Sequence, residues 1–398
     1  MTKDKLSRNA ICLLGTNAVN SILYMFINTF LVAYFFTITN YDYKIISLYY
    51  FVSFIAIPLC FWLLGDVVKT KNKVWVYRAG IILYCIYILM IAFMKERIVE
   101  FYLPLGFFYG VVQGVFWVAG AVLINETVGE EKSSKKYITA KSIIGKICNI
   151  IFPIVFGASI EYTSFFYIAK IIIPLSVMQL IFSFFIKDKN KNKKEIIENF
   201  NIIKYIGYIK KNNANKVKTL YKIMFYEGIV NYLLATLITI VIVMTFKTTL
   251  NLGILTTIFS IFSIISTYVF KKVYKNKNPK KFIIVSAIIL TLSVISLLFT
   301  INKTTVVIYN AVNSIFMILL INYAEMKRYN SAESYKEIKE KYLVEHQVVT
   351  ETALGISRIL GYFLLFVISI LNNIIYFKIL LVIVTICILL YAKELYKD

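Results

Sequence analysis

Apolar runs of about 20 residues, the length a helix needs to cross a hydrocarbon core, follow one another along the whole chain, separated by short charged breaks. They cover residues 9–36, 43–65, 74–95, 100–124, 139–160, 164–186, 220–246, 250–271, 280–301, 303–325, 347–371 and 373–393. The pattern therefore predicts twelve transmembrane helices and leaves no room for a sizeable extramembrane domain. One long interruption, 187–219, opens on KDKNKNKKE and then places Ile196, Phe200, Ile203 and Ile206 at helical spacing among Lys and Asn. That stripe predicts a short basic helix lying at the membrane surface, where Lys meets anionic lipid; a disordered tether is the alternative. The expected organisation is an N-terminal unit over 1–186, this linker over 187–219, and a C-terminal unit over 220–398.

Composition agrees with a chain whose solvent is mostly lipid. Of 398 residues, 59% are hydrophobic and 16% charged, with a mean hydropathy of +0.74, whereas a soluble domain is about half apolar and about a quarter charged. The net charge of +23 comes from 44 Lys and Arg, of which five are Arg. Its distribution argues against nucleic acid, whose footprint is a basic face on a water-exposed fold. When residues at span edges are counted with the adjoining loop, the termini and the loops after even-numbered spans hold 34 Lys and Arg. The loops after odd-numbered spans hold five, and five lie within spans. By the positive-inside rule both termini are cytoplasmic, in a multi-pass protein of the cell membrane. Cys12, Cys60, Cys85, Cys148 and Cys387 fall inside apolar runs at spacings that suit neither a metal site nor a disulfide framework. The first run is too long for a secretory signal and ends in aromatics.

The two halves repeat each other. YGVVQGVF (109–116) matches YNAVNSIF (309–316) at an offset of 200, with Gln113 facing Asn313; FYIAKIII, ending at Ile173, overlays IIYFKILL, ending at Leu381, with Lys170 on Lys378. Lys146 in SIIGKI and Arg358 in GISRI meet at an offset of 212. Six plus six spans in parallel repeats, joined by a basic loop, resemble the major facilitator superfamily over the whole chain. That superfamily's loop between spans 2 and 3 usually reads like GxLADxxGRK. Here WLLGDVVKTKNKV keeps Asp66 but has Trp62 in place of Gly and a looser basic run. The order of NTF (28–30), LYY (48–50), RAG (78–80) and ETALGISRILG (351–361) is similar to the YQGE-type bacterial transporters. The resemblance implies an all-α membrane protein with twelve transmembrane helices in two pseudo-symmetric six-helix bundles, the major facilitator superfamily fold. It also implies a secondary transporter that moves a small solute by alternating access, with export as the expected direction.

Little else in the chain suggests chemistry. The one histidine, His346, falls in a loop of the pattern, and there is no nucleophile elbow, phosphate loop or His/Cys cluster. No enzyme, metal or cofactor is expected, and the partners are a small-molecule substrate and the bilayer around a monomer. In the superfamily, spans 1, 4, 7 and 10 line the cavity. Here those spans carry polar stripes: Asn17, Asn20, Tyr24 and Asn28; Tyr109, Gln113 and Trp117; Asn231; Tyr309 and Asn313. These are the candidate substrate-binding residues, interhelical glue being the alternative for each one singly. A charge in a span costs roughly 2.5–3.5 kcal/mol on insertion scales, so each needs a reason. Glu227 is the candidate proton-coupling group, against a fixed salt bridge. Lys146 and Arg358, at the depth of Glu126 and Glu325, with Glu351 seven residues before Arg358 and with Asp66 and Arg78 flanking the neighbouring loop, are candidates for gating pairs; static packing is the alternative. A non-transporting receptor or scaffold, a lipid flippase and a membrane-embedded enzyme are the rival readings.

Overall fold

A computed structural model describes residues 6–40, 42–128, 131–187, 199–275, 279–371 and 373–397, whose regular structure is entirely helical. Twelve of these helices are long and apolar enough to cross a membrane. Spans 1–6 are Arg8–Ile38, Lys44–Thr70, Lys73–Val99, Tyr102–Thr127, Ala140–Tyr162 and Phe165–Phe184; spans 7–12 are Asn215–Phe246, Thr249–Tyr268, Lys280–Phe299, Lys303–Glu333, Leu343–Leu371 and Ile375–Tyr396. Tight connections are made by polar caps. The side chains of Asn72, Ser164, Asn302 and Asn373 each accept from a backbone N–H in the first turn of the following span, a contact worth about 1 kcal/mol.

Helix ends and apolar runs do not coincide. Span 7 starts at Asn215, span 10 continues to Glu333 and span 11 starts at Leu343, because Lys, Arg and Tyr stems carry a helix past the hydrocarbon while their heads stay wet. His346 is therefore not in a loop. It sits in span 11, fully buried, with Nδ1 2.7 Å from Tyr205 Oη.

The repeat extends to packing. Within the first half span 2 packs on 4, 3 on 4, 3 on 6, 1 on 6 and 1 on 5; within the second, 8 packs on 10, 9 on 10, 9 on 12, 7 on 12 and 7 on 11. Each contact recurs six spans later. Spans 1 and 7 also share a defect, a π-helical turn at Phe26–Leu31 and at Gly228–Leu233. Such a turn inserts a residue and disturbs the backbone ladder, and it is frequent at functional sites.

Gly106, Gly110 and Gly114 let span 4 approach span 2. A Cβ at Gly110 would lie 2.2 Å from the carbonyl oxygen of Ser53, so only glycine fits, as in small-residue helix contacts generally. Across the two halves the seams are 2 against 11 and 5 against 8. Gly157 and Gly253 bring the latter pair together: a Cβ at Gly253 would meet the Pro153 carbonyl oxygen at 2.3 Å.

The linker helix, Ile202–Lys211, packs Tyr205 and Ile209 against Ala214, Val217, Ala332 and Ile338 in a small second core. Its inward face is thus one residue out of step with the stripe anticipated from sequence. Ile203, 83% exposed, and Ile206 point outward, Phe200 seats over Gly65 of span 2, and Ile196 lies outside the described residues. Burial raises the Tyr205 phenol above its ordinary range, with Tyr221 adding to the shift. Tyr205 thus keeps its proton between Tyr221 Oη, 2.6 Å away, and His346.

Candidate functional site

A cavity of ≈ 310 Å³ lies between the halves, walled by spans 1, 2, 4, 5, 7, 10 and 11. It reaches from Asn28 and Tyr109 near mid-span to Asn125, Glu325 and Arg328 at the ends of spans 4 and 10 on the side that carries both termini. The far side is closed. There the ends of spans 1 and 7 touch, Tyr50 and Phe54 of span 2 pack on Tyr362 of span 11 with ring centroids 5.0 and 5.1 Å apart, and Thr249 Oγ1 donates to Glu161 at 2.8 Å. On the terminus side the seam of spans 2 and 11 is held by Lys69 Nζ, 2.5 Å from Glu345 Oε1. The same carboxylate accepts from the backbone N–H of Asn201 in the linker.

Wall chemistry divides by half. The first half supplies aromatics and amides: Tyr24 and Asn28 from span 1, Phe54 and Phe61 from span 2, and Tyr109, Gln113, Trp117 and Asn125 from span 4, with Lys141 of span 5 as its one charge among the lining residues. The second half supplies the other charges: Glu227 of span 7, Glu325 and Arg328 of span 10, and Glu351 and Arg358 of span 11, alongside Asn231, Tyr232 and Gln347. Arg358 donates from Nη1 to Glu351 Oε1 at 2.7 Å. Its guanidinium carbon stands 3.7 Å from the ring centroid of Tyr232 and 5.1 Å from that of Phe54, a cation–π clamp worth up to about 2 kcal/mol when desolvated. Glu227 is 8% exposed and forms no ion pair with a described residue. The groups facing it are Arg328 and Glu325, Arg358 and Glu351, with Tyr232 on its own span and Tyr391 on span 12.

Of the residues singled out by sequence, Tyr24, Asn28, Tyr109, Gln113, Trp117, Asn231, Glu227, Glu325, Glu351 and Arg358 meet at this cavity. Asn28 is also a structural node, donating to Tyr109 Oη and accepting from Tyr50 Oη. Asn17, Asn20 and Tyr309 are buried outside it; Asn17 donates at 3.0 Å to Tyr137, on the helix Glu131–Tyr162 that contains span 5, which is glue. Asn313 lines a smaller neighbouring pocket with Asn231.

The charges assigned to gating separate as well. Arg78 donates to the carbonyls of Ser183, Phe184 and Ile186 and so caps the end of span 6. Glu126 pairs with Lys73 at 2.6 Å in place of Lys146, which makes no ion pair with a described residue, as does exposed Asp66. Glu351 and Arg358 share one helix. The pair that bridges the halves, Lys69 and Glu345, was missed, because both residues fell in stretches the hydropathy pattern assigns to loops. Arg328 falls in such a stretch too, whereas Gln347 is the first residue of the apolar run 347–371, where nothing in the pattern marks it out. Among the described residues no group of His, Cys, Asp and Glu is arranged to hold a metal ion.

Three kinds of likeness bear on this arrangement. The chain is 24% identical over 310 residues to the uncharacterized protein YqgE of Bacillus subtilis (strain 168), covering 76% of this chain and 70% of that one. In fold it is similar to the nucleoside transporter NupG, with a TM-score of 0.68 at 13% identity over 98% of this chain and 99% of that one. It is also similar to a bacterial homologue of the iron transporter ferroportin in an inward-facing state, with a TM-score of 0.66 at 13% identity over 98% and 97%. At such identities the two crystal structures speak to the fold alone. Residues 11–333 match the Major Facilitator Superfamily as a family, and with twelve spans in two repeated halves around a shared cavity, the chain is a multi-pass membrane protein that belongs to that superfamily.

Proposed function

We propose that this protein is a proton-coupled secondary transporter that exports a small solute across the cytoplasmic membrane by alternating access. The observation that carries the reading is Glu227: a buried carboxylate without an ion pair to any described residue, on the wall of a cavity closed on one side and extended to the other. A buried acid in that position binds or releases its proton according to which side's water reaches it. The alternation has its parts in place. Two seams cross between the halves, both π-turns sit on cavity-lining spans, and the Lys69–Glu345 contact must break or re-form as the halves rock. The direction, export, comes from the family resemblance. A receptor would not need a cavity walled by both halves, and a scaffold would not need a carboxylate in it.

Both termini and the linker are assigned to the cytoplasm, since Lys and Arg concentrate on that side. The cavity then faces inward. A cysteine placed at exposed Asn212 should react with an impermeant maleimide in inverted vesicles but not in intact cells; the reverse pattern would overturn the assignment. The function itself is tested by counterflow: liposomes holding the purified protein and preloaded with a pool of candidate solutes should concentrate the labelled member of that pool. A receptor or scaffold gives no exchange.

A further inference from the structure

Beside the central cavity lies a second chamber of ≈ 150 Å³, walled by spans 7 and 10 with Ser263 of span 8. None of its lining residues is charged, and it shares Asn231 and Ile321 with the cavity. A space of that size holds a benzene ring, and Leu234, Ile238 and Met317 supply apolar walls for one. The corresponding seam of the first half is tighter. Gly110 and Gly114 let span 4 lie on span 2, whereas at the offset of 200 the second half carries Asn310 and Ser314, and spans 8 and 10 touch less extensively.

The hydroxyls of the chamber are spent. Ser263 donates to the main-chain carbonyl of Ser314 at 2.9 Å and Ser314 to that of Ala311 at 2.8 Å. The amides are not: the side chains of Asn231 and Asn313 make no hydrogen bond to a described residue, and Asn313 Oδ1 is fully buried. Gln113, the counterpart of Asn313 on span 4, instead has its Oε1 held by Trp117 Nε1 at 3.2 Å. An unmade hydrogen bond on a buried group is costly and calls for a partner. Interhelical glue does not account for these two amides, because glue consists of the bond that is missing.

We infer that the chamber is the subsite for one end of the transported solute, an uncharged ring about the size of benzene with a carboxamide-like edge, the ring against the apolar wall and the edge on Asn231 and Asn313. This deepens the transport reading and rests on it. A side-chain amide carries an acceptor and a donor side by side, and its terminal torsion is broad, so a half-turn exchanges the two at small cost. The group that satisfies two such amides at once also carries a donor and an acceptor side by side. A carboxylate offers acceptors only and an amidinium donors only. Either would also bring a full charge to walls that hold no counter-charge, which burial penalises far more than a neutral amide. The lining of the central cavity adds no sign of its own, since Lys141, Arg328 and Arg358 stand against Glu227, Glu325 and Glu351. Asn231, in the π-helical turn of span 7, belongs to both spaces, so the ring enters past it from the cavity.

The test uses the purified full-length protein in nanodiscs and three probes of nearly one shape: benzamide, benzoate and benzamidinium, which are neutral, anionic and cationic near neutral pH. Calorimetry, corrected with empty nanodiscs, should show benzamide binding at least about tenfold more tightly than either ion. Asn313→Leu, which keeps the size of the side chain, should weaken benzamide about fivefold or more, the worth of one net hydrogen bond. It should also melt at or above the wild-type temperature, because the amide it removes had no partner. Ala235→Phe should fill the chamber and weaken benzamide at least as much. An amide retained for packing forecasts the reverse: Asn313→Leu would melt lower and bind benzamide as the wild type does. That result, no binding of benzamide, or equal or tighter binding of either ion would each overturn the inference; should Ala235→Phe fail to fold, Asn313→Leu decides alone. Counterflow separates the two readings. Proteoliposomes preloaded with benzamide should concentrate labelled benzamide, and those with Asn313→Leu should do so less. Counterflow of some other solute, unchanged in Asn313→Leu, keeps the transporter and removes the subsite. No counterflow of any solute removes the transport reading and the subsite with it.

Discussion

Glu227→Gln should abolish accumulation against a gradient while leaving solute exchange intact. In the wild type a pH difference of one unit supplies about 1.4 kcal/mol per proton, enough for about tenfold accumulation at one proton per solute. A glutamine keeps the size and the polar contacts of Glu227 but binds no proton, so the variant should equilibrate its solute and stop there, whatever the pH gradient. Counterflow needs only the cavity and the rocking of the halves, and it should survive. Paired measurements in one proteoliposome preparation decide the matter. If accumulation persists in the glutamine variant and still follows the pH gradient, the coupling group lies elsewhere, and Glu325 and Glu351 on the same walls become the candidates. If the variant fails to fold, Glu227 is instead holding a cation such as Arg328 in place, since removing one member of a buried pair costs far more than a missing negative charge.

The limits of the sequence reading are physical. Span number and the two-fold repeat were legible because apolar length and side-chain chemistry recur at fixed offsets: Tyr109 and Tyr309 do stand in equivalent helices of the two halves. Depth is harder to read. Asn17, Asn20 and Tyr24 lie on one face of span 1, yet Asn17 is covered by Tyr137 from the span 5 helix while Tyr24 reaches the cavity, and periodicity says nothing about which neighbour covers a given turn. The π-turns carry no sequence signature at all, although each adds a residue between one end of its span and the other. Charge pairing was misassigned because helices outrun their apolar cores. Once span 11 begins at Leu343, Glu345 comes within reach of Lys69, and once span 3 begins at Lys73 its ammonium claims Glu126 ahead of Lys146.

The second large effect concerns Glu351 and Arg358, whose side chains are 8% and 5% exposed. Both are on span 11, so no motion of one half against the other pulls them apart, and their expected role is to hold a fixed charge against Tyr232. Glu351→Ala should therefore act on stability. It leaves a buried guanidinium without its carboxylate, which costs about 3–5 kcal/mol, and the melting temperature in nanodiscs should drop sharply. Replacing both residues together, Glu351→Met with Arg358→Leu, removes the orphaned charge and should recover most of that loss, because well-packed apolar groups can replace a buried ion pair at little net cost. Glu351→Gln should fall between, keeping an acceptor for Nη1. A gating role makes the opposite forecast: the single variants would melt near the wild type and shift instead the balance of inward- and outward-facing states, read as a change in maleimide access to a cysteine at Thr352. Equal melting of Glu351→Ala and wild type would thus return this pair to the gate, and move the fixed-charge role to Lys73 and Glu126, whose carboxylate end is more open to water.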